Sequence, residues 1–578
     1  MGTIDHLNNN VNGRRRIFVS HNLIRRKGQR VKVSLKFIFI LSFDRFYRLA
    51  CRGRVFRAIA LNFSFTPHSL FMPFPRSSGI LLHPPCLPGR FGIGELGSEA
   101  QRFIDFMVNS GQQFWQVLPL GPTGYGNSPY ASYSAMAGNP LLISLEVLQQ
   151  QGLLSDEDLW NTPEFPAGWV DVDRVVAFKM PLLQKACDRF KTQASVEQQQ
   201  KFADFCKSKA YWLDDYALFM ALKGEYDGRS WHTWEPDLAH RQPEALDQAR
   251  ERLNQEIFYY KYLQFEFFHH WAEVKQYAND RHIEIIGDIP IYVAHDSADV
   301  WANPENFSLD EKTGEPKIMA GVPPDYFSDT GQLWGNPVYN WEHLRETGFA
   351  WWLRRFEAML DYVDIIRIDH FRGFEAYWAV PQGETTAMYG EWIKAPGEEF
   401  FELLRLKLGR LPIMAEDLGV MTPEVEALRD RFEFPGMKIL QFAFGSDPGN
   451  PFLPFNFRHN SVVYTGTHDN DTTIGWYNTA SDWEKEQLWL YVGSISSDGV
   501  HWELIRMALT SIANQALIPL QDLLGLDGSA RMNFPSTAEG NWGWRYQSEM
   551  LTHELGEKLK TLTRISGRLP QPREDESD

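Results

Sequence analysis

Four short apolar runs of this sequence are each followed by an acidic residue, and acids in such places can do acid–base chemistry. A single acid after a strand often caps the next helix. Four of them, two with a histidine alongside, indicate a shared site instead. The groups are Asp288 after Ile283–Gly287, Asp369 and His370 after Val363–Ile368, Glu416 and Asp417 after Pro412–Ala415, and His468 and Asp469 after Val462–Thr465.

Two of these acids have surroundings that predict different pKa values. Arg367 and Asp369 are two residues apart in a strand and so project to the same side, where a guanidinium keeps a carboxylate ionised. Glu416 follows the next strand without a cation of its own, and in an apolar setting such a carboxyl holds its proton. Two carboxyls with divergent environments are the usual equipment for cleaving a glycosidic bond.

A divalent metal site is the main chemical alternative for the same residue types. The sequence has no H-E-x-x-H or other tight ligand spacing, so we expect no metal. It also has no G-x-x-x-x-G-K-[ST] and no strand-borne G-x-G-x-x-G. We therefore expect no nucleotide and no other cofactor.

The acids need elements that bring the ends of several strands together. Eight near-continuously apolar runs, typical of strands buried on both faces, recur with helical periodicity between most of them. Strand–helix alternation implies parallel strands with right-handed crossovers, and eight such units predict an α/β fold, a (β/α)8 TIM barrel with its chemistry at the C-terminal face. The runs are Ile80–His83, Phe114–Leu118, Ile283–Gly287, Val363–Ile368, Pro412–Ala415, Met437–Phe442, Val462–Thr465 and Ala516–Leu520.

Uneven spacing of the runs predicts insertions into a catalytic barrel that spans residues 72–565. Residues 146–280 should form a mostly helical insertion, and residues 302–341, rich in Gly, Pro and Asp, an active-site loop insertion. Little chain follows the last run, so we expect no C-terminal β-sandwich and a disordered tail at residues 566–578. The helical patterns of the first insertion are Asp156–Trp169, Val175–Phe190 and Pro243–Ala278.

Residues 1–71 differ from the rest of the chain in charge. The first 70 residues hold 14 Lys+Arg and two acids, a net charge of +12, whereas the whole chain carries −17. A basic organelle-targeting peptide, a nucleic-acid or membrane-surface tail, and sequence upstream of a true start at Met72 are the competing hypotheses. We favour the late start and expect a disordered, dispensable extension. The expected location is the cytoplasm, with a plastid as the alternative if the segment is a transit peptide.

Composition excludes several classes of protein. In 578 residues, 43% are apolar and 23% charged, which is ordinary globular usage and excludes wholesale disorder, collagen and disulfide scaffolds. The acidic balance argues against nucleic-acid partners, four scattered cysteines fit a reducing compartment, and no apolar run reaches the roughly 18 residues of a membrane span. Aromatic residues reach 14%. Their rings can stack on sugars, but composition alone favours a large aromatic core.

The chain resembles a known family. From about Ser77 to about Gln547 it is similar to the 4-α-glucanotransferases called amylomaltases or disproportionating enzymes, glycoside hydrolase family 77, which are relatives of the α-amylases. The blocks that carry the resemblance are Ser77–His83 (SSGILLH), Gly121–Pro140 (GPTGYGNSPYASYSAMAGNP), Gly287–Trp301 (GDIPIYVAHDSADVW), Gly321–Trp341 (GVPPDYFSDTGQLWGNPVYNW), Ile366–Gly373 (IRIDHFRG), Ala415–Gly419 (AEDLG) and Tyr464–Thr473 (YTGTHDNDTT).

The resemblance implies a role for each matching residue. Asp369 matches the nucleophile, Glu416 the general acid/base, and Asp469 a third acid that binds and distorts the sugar at the cleavage point. The residues that match substrate-binding positions are Arg367, His370 and His468, which hold that sugar, Tyr130, which stacks under it, Asp288, a supporting acid, and Trp334 and Asn336 in a loop over the donor groove.

The expected activity is a retaining transfer of a glucanyl segment to the 4-OH of glucose or another glucan. The expected partners are α-1,4-glucans and maltooligosaccharides, and the expected state is a monomer. The acids alone do not decide between transfer and hydrolysis, because both share one intermediate. Residues 302–339 and 383–396 are candidates for excluding water. An α-1,4-glucan hydrolase of the amylase type is the alternative, and a binding protein on an inactive barrel is disfavoured because all three acids are present.

Overall fold

The computed structural model describes residues 74–324, 328–537 and 539–570, and every structural statement below refers to them. The predictions for residues 1–71 lie outside these ranges. No helix in the described part of the chain is both long and apolar enough to cross a membrane.

The described residues contain twelve strands that build two sheets. Eight strands close into a parallel barrel in the order β1-β12-β11-β10-β9-β6-β3-β2, and four form an antiparallel sheet in the order β5-β4-β7-β8, which we call the side sheet. The strands are β1 (Ser77–Leu81), β2 (Phe114–Gln116), β3 (Glu284–Pro290), β4 (Ile318–Val322), β5 (Gln332–Pro337), β6 (Ile365–Asp369), β7 (Ala376–Pro381), β8 (Glu391–Lys394), β9 (Ile413–Ala415), β10 (Gly436–Ile439), β11 (Ser461–Tyr464) and β12 (Gln515–Pro519).

The predicted (β/α)8 barrel is confirmed, and each predicted run overlaps one barrel strand. The strand ends differ from the predicted runs by at most three residues, and in β1 and β3 the pairing explains the difference. β1 begins at Ser77, earlier than expected, because Ser77 and Ser78 pair with the first residues of β12. β3 continues past Gly287 to Pro290, since Asp288 pairs in register with Arg367 of β6. A cation in the neighbouring strand permits a carboxylate at a position that is otherwise apolar.

Eighteen α-helices lie in the described ranges, most of them between strands. They are α1 (Ser98–Asn109), α2 (Leu145–Gln150), α3 (Asp156–Leu159), α4 (Val172–Gln193), α5 (Val196–Glu225), α6 (Pro236–Ala239), α7 (Pro243–Arg252), α8 (Asn254–Asn279), α9 (Ala298–Ala302), α10 (Trp341–Glu346), α11 (Ala350–Tyr362), α12 (Gly397–Leu408), α13 (Pro423–Arg431), α14 (Thr473–Thr479), α15 (Asp482–Val492), α16 (Val500–Thr510), α17 (Leu520–Leu523) and α18 (His553–Ile565).

Helices α2 to α8 occupy the chain between β2 and β3. The Val175–Phe190 pattern lies within α4, and the Pro243–Ala278 pattern is divided at Leu253 into α7 and α8. The Asp156–Trp169 pattern is helical only as far as Leu159, because prolines follow and lack the N–H that a helix interior requires. The long helix α5 was missed because the first half of its sequence is mostly polar and solvent-exposed.

Two expectations about the insertions and the tail need correction. Residues 302–341 are not only a loop, because they supply β4 and β5 of the side sheet, which pairs with β7 and β8 from the chain after β6. The expected tail begins too early at residue 566. Arg568 is fully buried, and its guanidinium donates to main-chain oxygens that include those of Ser77 and Asn514. It therefore joins the end of the described chain to the start of the barrel.

The barrel interior is filled by apolar side chains from its strands. Tyr464 lies in this layer, and its hydroxyl donates to Gln116 Oε1 at 2.9 Å. The packed layer supports the strand ends above it and keeps water out from below. Its buried members are Phe74, Phe114, Ile286, Ile365, Met414, Met437, Ile439, Val462, Tyr464 and Leu517.

Candidate active site

Arg367 lies between two carboxylates at the C-terminal end of the barrel. Its Nη1 is 2.7 and 2.6 Å from the two oxygens of Asp288, and its Nη2 is 3.0 Å from Asp369 Oδ1. Burial opposes the charge on Arg367, but the two carboxylates raise its pKa well above the usual value. Burial raises the pKa of Asp288, and the Arg367 cation opposes that rise. Asp369 is the more accessible acid, with 29% of its side chain exposed.

Glu416 is held beside Asp369 by the main chain of the neighbouring strand. Its amide donates to Ile368 O at 2.9 Å, and its Oε2 accepts from the His370 amide at 2.7 Å. Its Oε1 accepts from the Leu418 amide at 2.8 Å. Burial raises the pKa of Glu416 to about 8, Asp369 adds to the rise, and Arg367 and the two amides oppose it. At neutral pH the protonated form of this carboxyl therefore predominates.

Tyr130 and His468 form an aromatic surface next to these acids. Tyr130 comes from the loop after β2 and His468 from the loop after β11, and their rings stack with centroids 5.1 Å apart and planes 15° apart. The Tyr130 hydroxyl donates to Asp288 Oδ2 at 2.7 Å. Burial raises the pKa of Tyr130 well above its ordinary value, so the hydroxyl keeps its proton. The pair offers an apolar ring face in a polar groove, as sugar sites do.

Asp469 is the open acid of the site, with 51% of its side chain exposed. His468 Nε2 lies 3.5 Å from Asp469 Oδ1, and the Asn533 amide donates to the same oxygen at 2.7 Å. Arg531 donates to the main-chain oxygen of Asp469 at 2.7 Å. The carboxylate is thus oriented on one side and free to accept hydroxyl groups on the other.

The side sheet reaches this site through Trp334 of β5. The edge of the Trp334 ring contacts His370, with centroids 4.8 Å apart and planes at 89°. Burial lowers the pKa of His370 to about 4, so the ring is neutral at pH 7. Its Nε2 is buried without a hydrogen-bond partner among the described residues, and its main chain is left-handed with φ 52°. Asn336 instead donates to Val293 O at 2.8 Å and fastens the side sheet to the segment after β3.

The predicted residues other than Asn336 are thus linked by contacts, but two nearby acids do not join them. Asp417 follows Glu416 directly, yet it pairs with Arg429 and accepts from the Met437 amide at 2.6 Å. Asp471 accepts from the Thr472 amide at 2.7 Å, next to the start of α14. Both acids hold loops in place, which is the ordinary role of an acid after a strand.

Three residues that contact the site were missed by the sequence reasoning. Arg531 and Asn533 hold Asp469, and the Trp542 ring lies 5.9 Å from both Tyr130 and His468. All three follow β12, where no acid follows the strand directly, so a search for acids at strand ends passed over them. The Asn541–Trp544 run, with two tryptophans around a glycine, was the available signal.

A second cluster of metal-ligand residue types lies on α8. Glu266, His269 and His270 have ligand atoms within 4.8 Å of one another. His270 Nδ1 accepts from the Ser144 amide at 3.1 Å, so in the neutral ring the proton is on Nε2, which lies 3.6 Å from Glu266. Burial raises the pKa of Glu266 to about 8 and lowers that of His270 to about 3. Glu266 and His270 thus form a buried pair in their neutral forms, and His269 is exposed beside them.

Known proteins are similar to this chain over most of its length. The chain matches a family described as 4-alpha-glucanotransferase, glycoside hydrolase 77, over residues 82–552. It is 59% identical over 495 residues to a 4-alpha-glucanotransferase of Synechocystis, covering 85% of this chain and 98% of that protein. It is 50% identical over 505 residues to a 4-alpha-glucanotransferase of Thermus thermophilus, covering 86% of this chain and 100% of that protein.

A solved structure is also similar over most of the chain. It is the amylomaltase from Streptococcus agalactiae in complex with acarbose, with 39% sequence identity and a TM-score of 0.83. The match covers 86% of this chain and 100% of that one.

Proposed function

Because this chain belongs to the 4-alpha-glucanotransferase family, glycoside hydrolase family 77, we propose that Asp369 and Glu416 perform its reaction by double displacement. The enzyme transfers a segment of an α-1,4-glucan to another glucan, and a hydrolase of the amylase type is not favoured. The observation that carries the residue assignment is the contrast between the two carboxyls. Asp369 contacts Arg367, whereas Glu416 is held by backbone amides and has a pKa of about 8.

In the first step the glycosidic bond breaks with Glu416 as general acid. Its proton goes to the leaving glycosidic oxygen, and Asp369 attacks the anomeric carbon to form a covalent glycosyl–enzyme. The raised pKa of Glu416 supplies that proton at neutral pH. Loss of the proton lets Glu416 form stronger bonds with the His370 and Leu418 amides, which already point at its oxygens.

In the second step the roles reverse. Glu416, now ionised, takes the proton from the 4-OH of an incoming glucan, whose oxygen displaces Asp369 from the anomeric carbon. Arg367 stabilises the departing carboxylate, which it contacts at 3.0 Å. Two inversions at one carbon give net retention, which requires the two carboxyls to lie near each other. The His370 amide, one residue after Asp369, already bonds Glu416.

The remaining residues bind the sugar at the cleavage point. Tyr130 stacks under the ring, and Asp469 and His468 accept or donate hydrogen bonds to its hydroxyl groups. The exposed carboxylate of Asp469 has the freedom for this, since its fixed contacts lie on one side. Such bonds strengthen as the ring distorts towards the oxocarbenium-like transition state. We assign His370 to the same sugar through its Nε2, which is buried and has no hydrogen-bond partner among the described residues.

We attribute the preference for transfer over hydrolysis to the segments that cover the groove. The side sheet brings Trp334, with 36% of its surface exposed, against His370, and the chain from Gly383 to Pro396 includes β8 of the same sheet. A cover that excludes water from the intermediate while an incoming glucan binds raises the share of transfer. Trp334→Ala should therefore raise the ratio of hydrolysis to transfer while the intermediate still forms.

A maltotriose incubation tests the proposal. Products and total reducing ends are followed together for the wild-type protein, Asp369→Asn and Glu416→Gln. Glucose and maltopentaose at constant reducing ends, lost in both variants, are the expected result. Rising reducing ends in the wild type would indicate hydrolysis, and turnover in the Asp369→Asn variant would remove that residue from the role of nucleophile.

The state and location of the protein are further parts of this proposal. Glucans are its partners, and we propose a monomer in the cytoplasm, with a plastid as the alternative. Light scattering tests the monomer, and N-terminal sequencing of protein from its native source tests the start at Met72. A first residue well before Met72 would contradict the late start.

A further inference from the structure

We propose that Trp542 is a positioning residue of the glucan site, which holds the rings of Tyr130 and His468 at the angle that the sugar requires. The inference rests on the proposed function, since that gives the two rings their role. The Trp542 ring lies 5.9 Å from each of them, with planes at 45° and 38°. Tyr130 and His468 stack on one another, so the three rings form a closed cluster, which we call the ring cluster.

The polar ends of the ring cluster contact both sets of acids. The Tyr130 hydroxyl donates to Asp288, which pairs with Arg367, and His468 Nε2 lies 3.5 Å from Asp469. A shift of the indole therefore moves two polar groups at once, the Tyr130 hydroxyl at Asp288 and the His468 ring at Asp469. Tyr130 and His468 come from loops after different strands, and Trp542, from a third loop, packs against both.

The main chain at Trp542 is held in a conformation that a bulky residue rarely adopts. Its φ is 62°, in the left-handed region. The Trp542 amide donates to Met532 O at 2.8 Å, and Gly543 O accepts from the Val170 amide at 2.7 Å. A Cβ on Gly543 would lie only 2.3 Å from the Trp169 ring, so the chain has no room to relax there. An unfavourable conformation that is fixed from both sides occurs mainly where a side chain must be aimed.

The same segment also orients Asp469. Arg531 donates to the Asp469 main-chain oxygen, and Asn533 donates to its carboxylate. The bond from the Trp542 amide to Met532 O closes this segment next to those two residues. The indole and the two polar contacts are therefore parts of one unit, which places His468, Asp469 and Tyr130 relative to each other.

A purely structural indole would fill space without setting the angle of the rings, and kinetics separates the two roles. Trp542→Ala should lower kcat/KM by about 10²-fold, the size expected when reacting groups are misplaced by about 1 Å. The fall should lie mainly in kcat, because sugars further along the groove still bind. Trp542→Phe should restore most of the activity, since a ring again contacts Tyr130 and His468.

Two further variants control for folding. Trp542→Gly permits φ 62° without strain, so it should be at least as stable as Trp542→Ala and still be slow. Trp502→Ala removes an equally large ring that is 5% exposed in α16 and contacts His501 and Lys558. It should lower the midpoint of thermal unfolding and leave kcat/KM of the folded enzyme unchanged.

The decisive measurement is kcat and KM with maltotriose and with α-maltotriosyl fluoride, beside the thermal midpoint of each variant. The Trp542→Ala defect should persist with the fluoride, because ring placement and not protonation of the leaving group is lost. Wild-type kcat in Trp542→Ala, a loss confined to KM, or a Trp502→Ala variant that is equally slow would each overturn the proposal. Turnover in the Asp369→Asn variant would instead refute the proposed function. The kinetics of the Trp542 variants would decide the positioning role independently of that result.

Discussion

The two carboxyls at the centre of the site have opposite surroundings. On one side, Arg367 lies between Asp288 and Asp369, so one cation serves two acids. On the other side, Glu416 is held by two backbone amides and has no cation of its own among the residues described, and its pKa rises to about 8. The difference teaches that burial, together with the position of a single guanidinium, distinguishes the proposed nucleophile from the proposed proton donor.

The largest loss of activity is expected from substitution of Asp369, the carboxyl that contacts Arg367. Asp369→Asn should lower kcat by about 10⁴-fold or more, because the covalent intermediate can no longer form. The thermal midpoint should stay near that of the wild type, which circular dichroism checks. A variant that keeps about a tenth of normal turnover would contradict the assignment.

The loss of activity on substitution of Glu416 should depend on the leaving group of the donor. With maltotriose, Glu416→Gln should lose about 10²- to 10⁴-fold in kcat/KM, the usual contribution of general acid–base catalysis. With α-maltotriosyl fluoride the glycosylation step should be nearly normal, since fluoride departs without a proton. Single-turnover release of fluoride measures this step. If the fluoride also restored the glycosylation rate of the Asp369→Asn variant, Asp369 and Glu416 would not have the different roles proposed.

Removing the shared cation should affect stability as well as activity. Arg367→Met leaves Asp288 buried without its partner, which should lower the free energy of unfolding by about 3–5 kcal/mol. The double variant Arg367→Met/Asp288→Asn should regain most of that stability in urea unfolding but little activity. A single variant as stable as the wild type would show that the buried charge is compensated elsewhere.

The raised pKa of Glu416 predicts the alkaline limb of the pH profile. The protonated acid predominates below pH about 8, so kcat/KM with maltotriose should be level just below that pH, where Asp369 is ionised, and fall above it. The fall approaches about tenfold per pH unit, because only the protonated fraction reacts. The limb should be absent with α-maltotriosyl fluoride as donor. An alkaline limb that lies well below pH 8 with maltotriose would mean that a group other than Glu416 donates the proton.

The smallest effect should be that of salt. The side chains of Arg367 and Asp288 are 4% and 0% exposed, and buried charges are screened far less than surface charges. Raising NaCl should therefore move the alkaline limb by less than about 0.3 pH unit. A larger shift in a pH titration of kcat/KM would mean that bulk ions screen the buried charges of Arg367 and Asp288.

The sequence predicted the barrel because each strand carries its own signal. A strand buried on both faces must be apolar along its length, so Val462–Thr465 or Pro412–Ala415 can be recognised without its neighbours. The same signal failed for the side sheet, since its strands are half-exposed and pair with chain from beyond β6. The long helix α5 was not predicted for a related reason, because half of it faces solvent.

The candidate acids were predicted from local sequence, as the strands were. Most of the groups that surround these acids in the structure were not predicted. The spacing of Arg367 and Asp369 predicts their contact, and the structure has it at 3.0 Å. No spacing predicts that Trp542, far along the chain, would pack on Tyr130 and His468. Nor does any spacing predict that Asp417 would turn to Arg429 while Glu416, beside it, stays in the site.

By itself the sequence determined the eight apolar strands, the acids that follow them and the family to which the chain belongs, because these depend on residue type and short spacing. Only the tertiary structure decided which acid is paired with a cation, which is held by backbone amides and which rings pack together beside them. The pKa of Glu416 and the angle of the Tyr130 ring depend on groups brought together across the barrel mouth. Electrostatic and packing energies act through space, and the order of residues along the chain does not contain those distances.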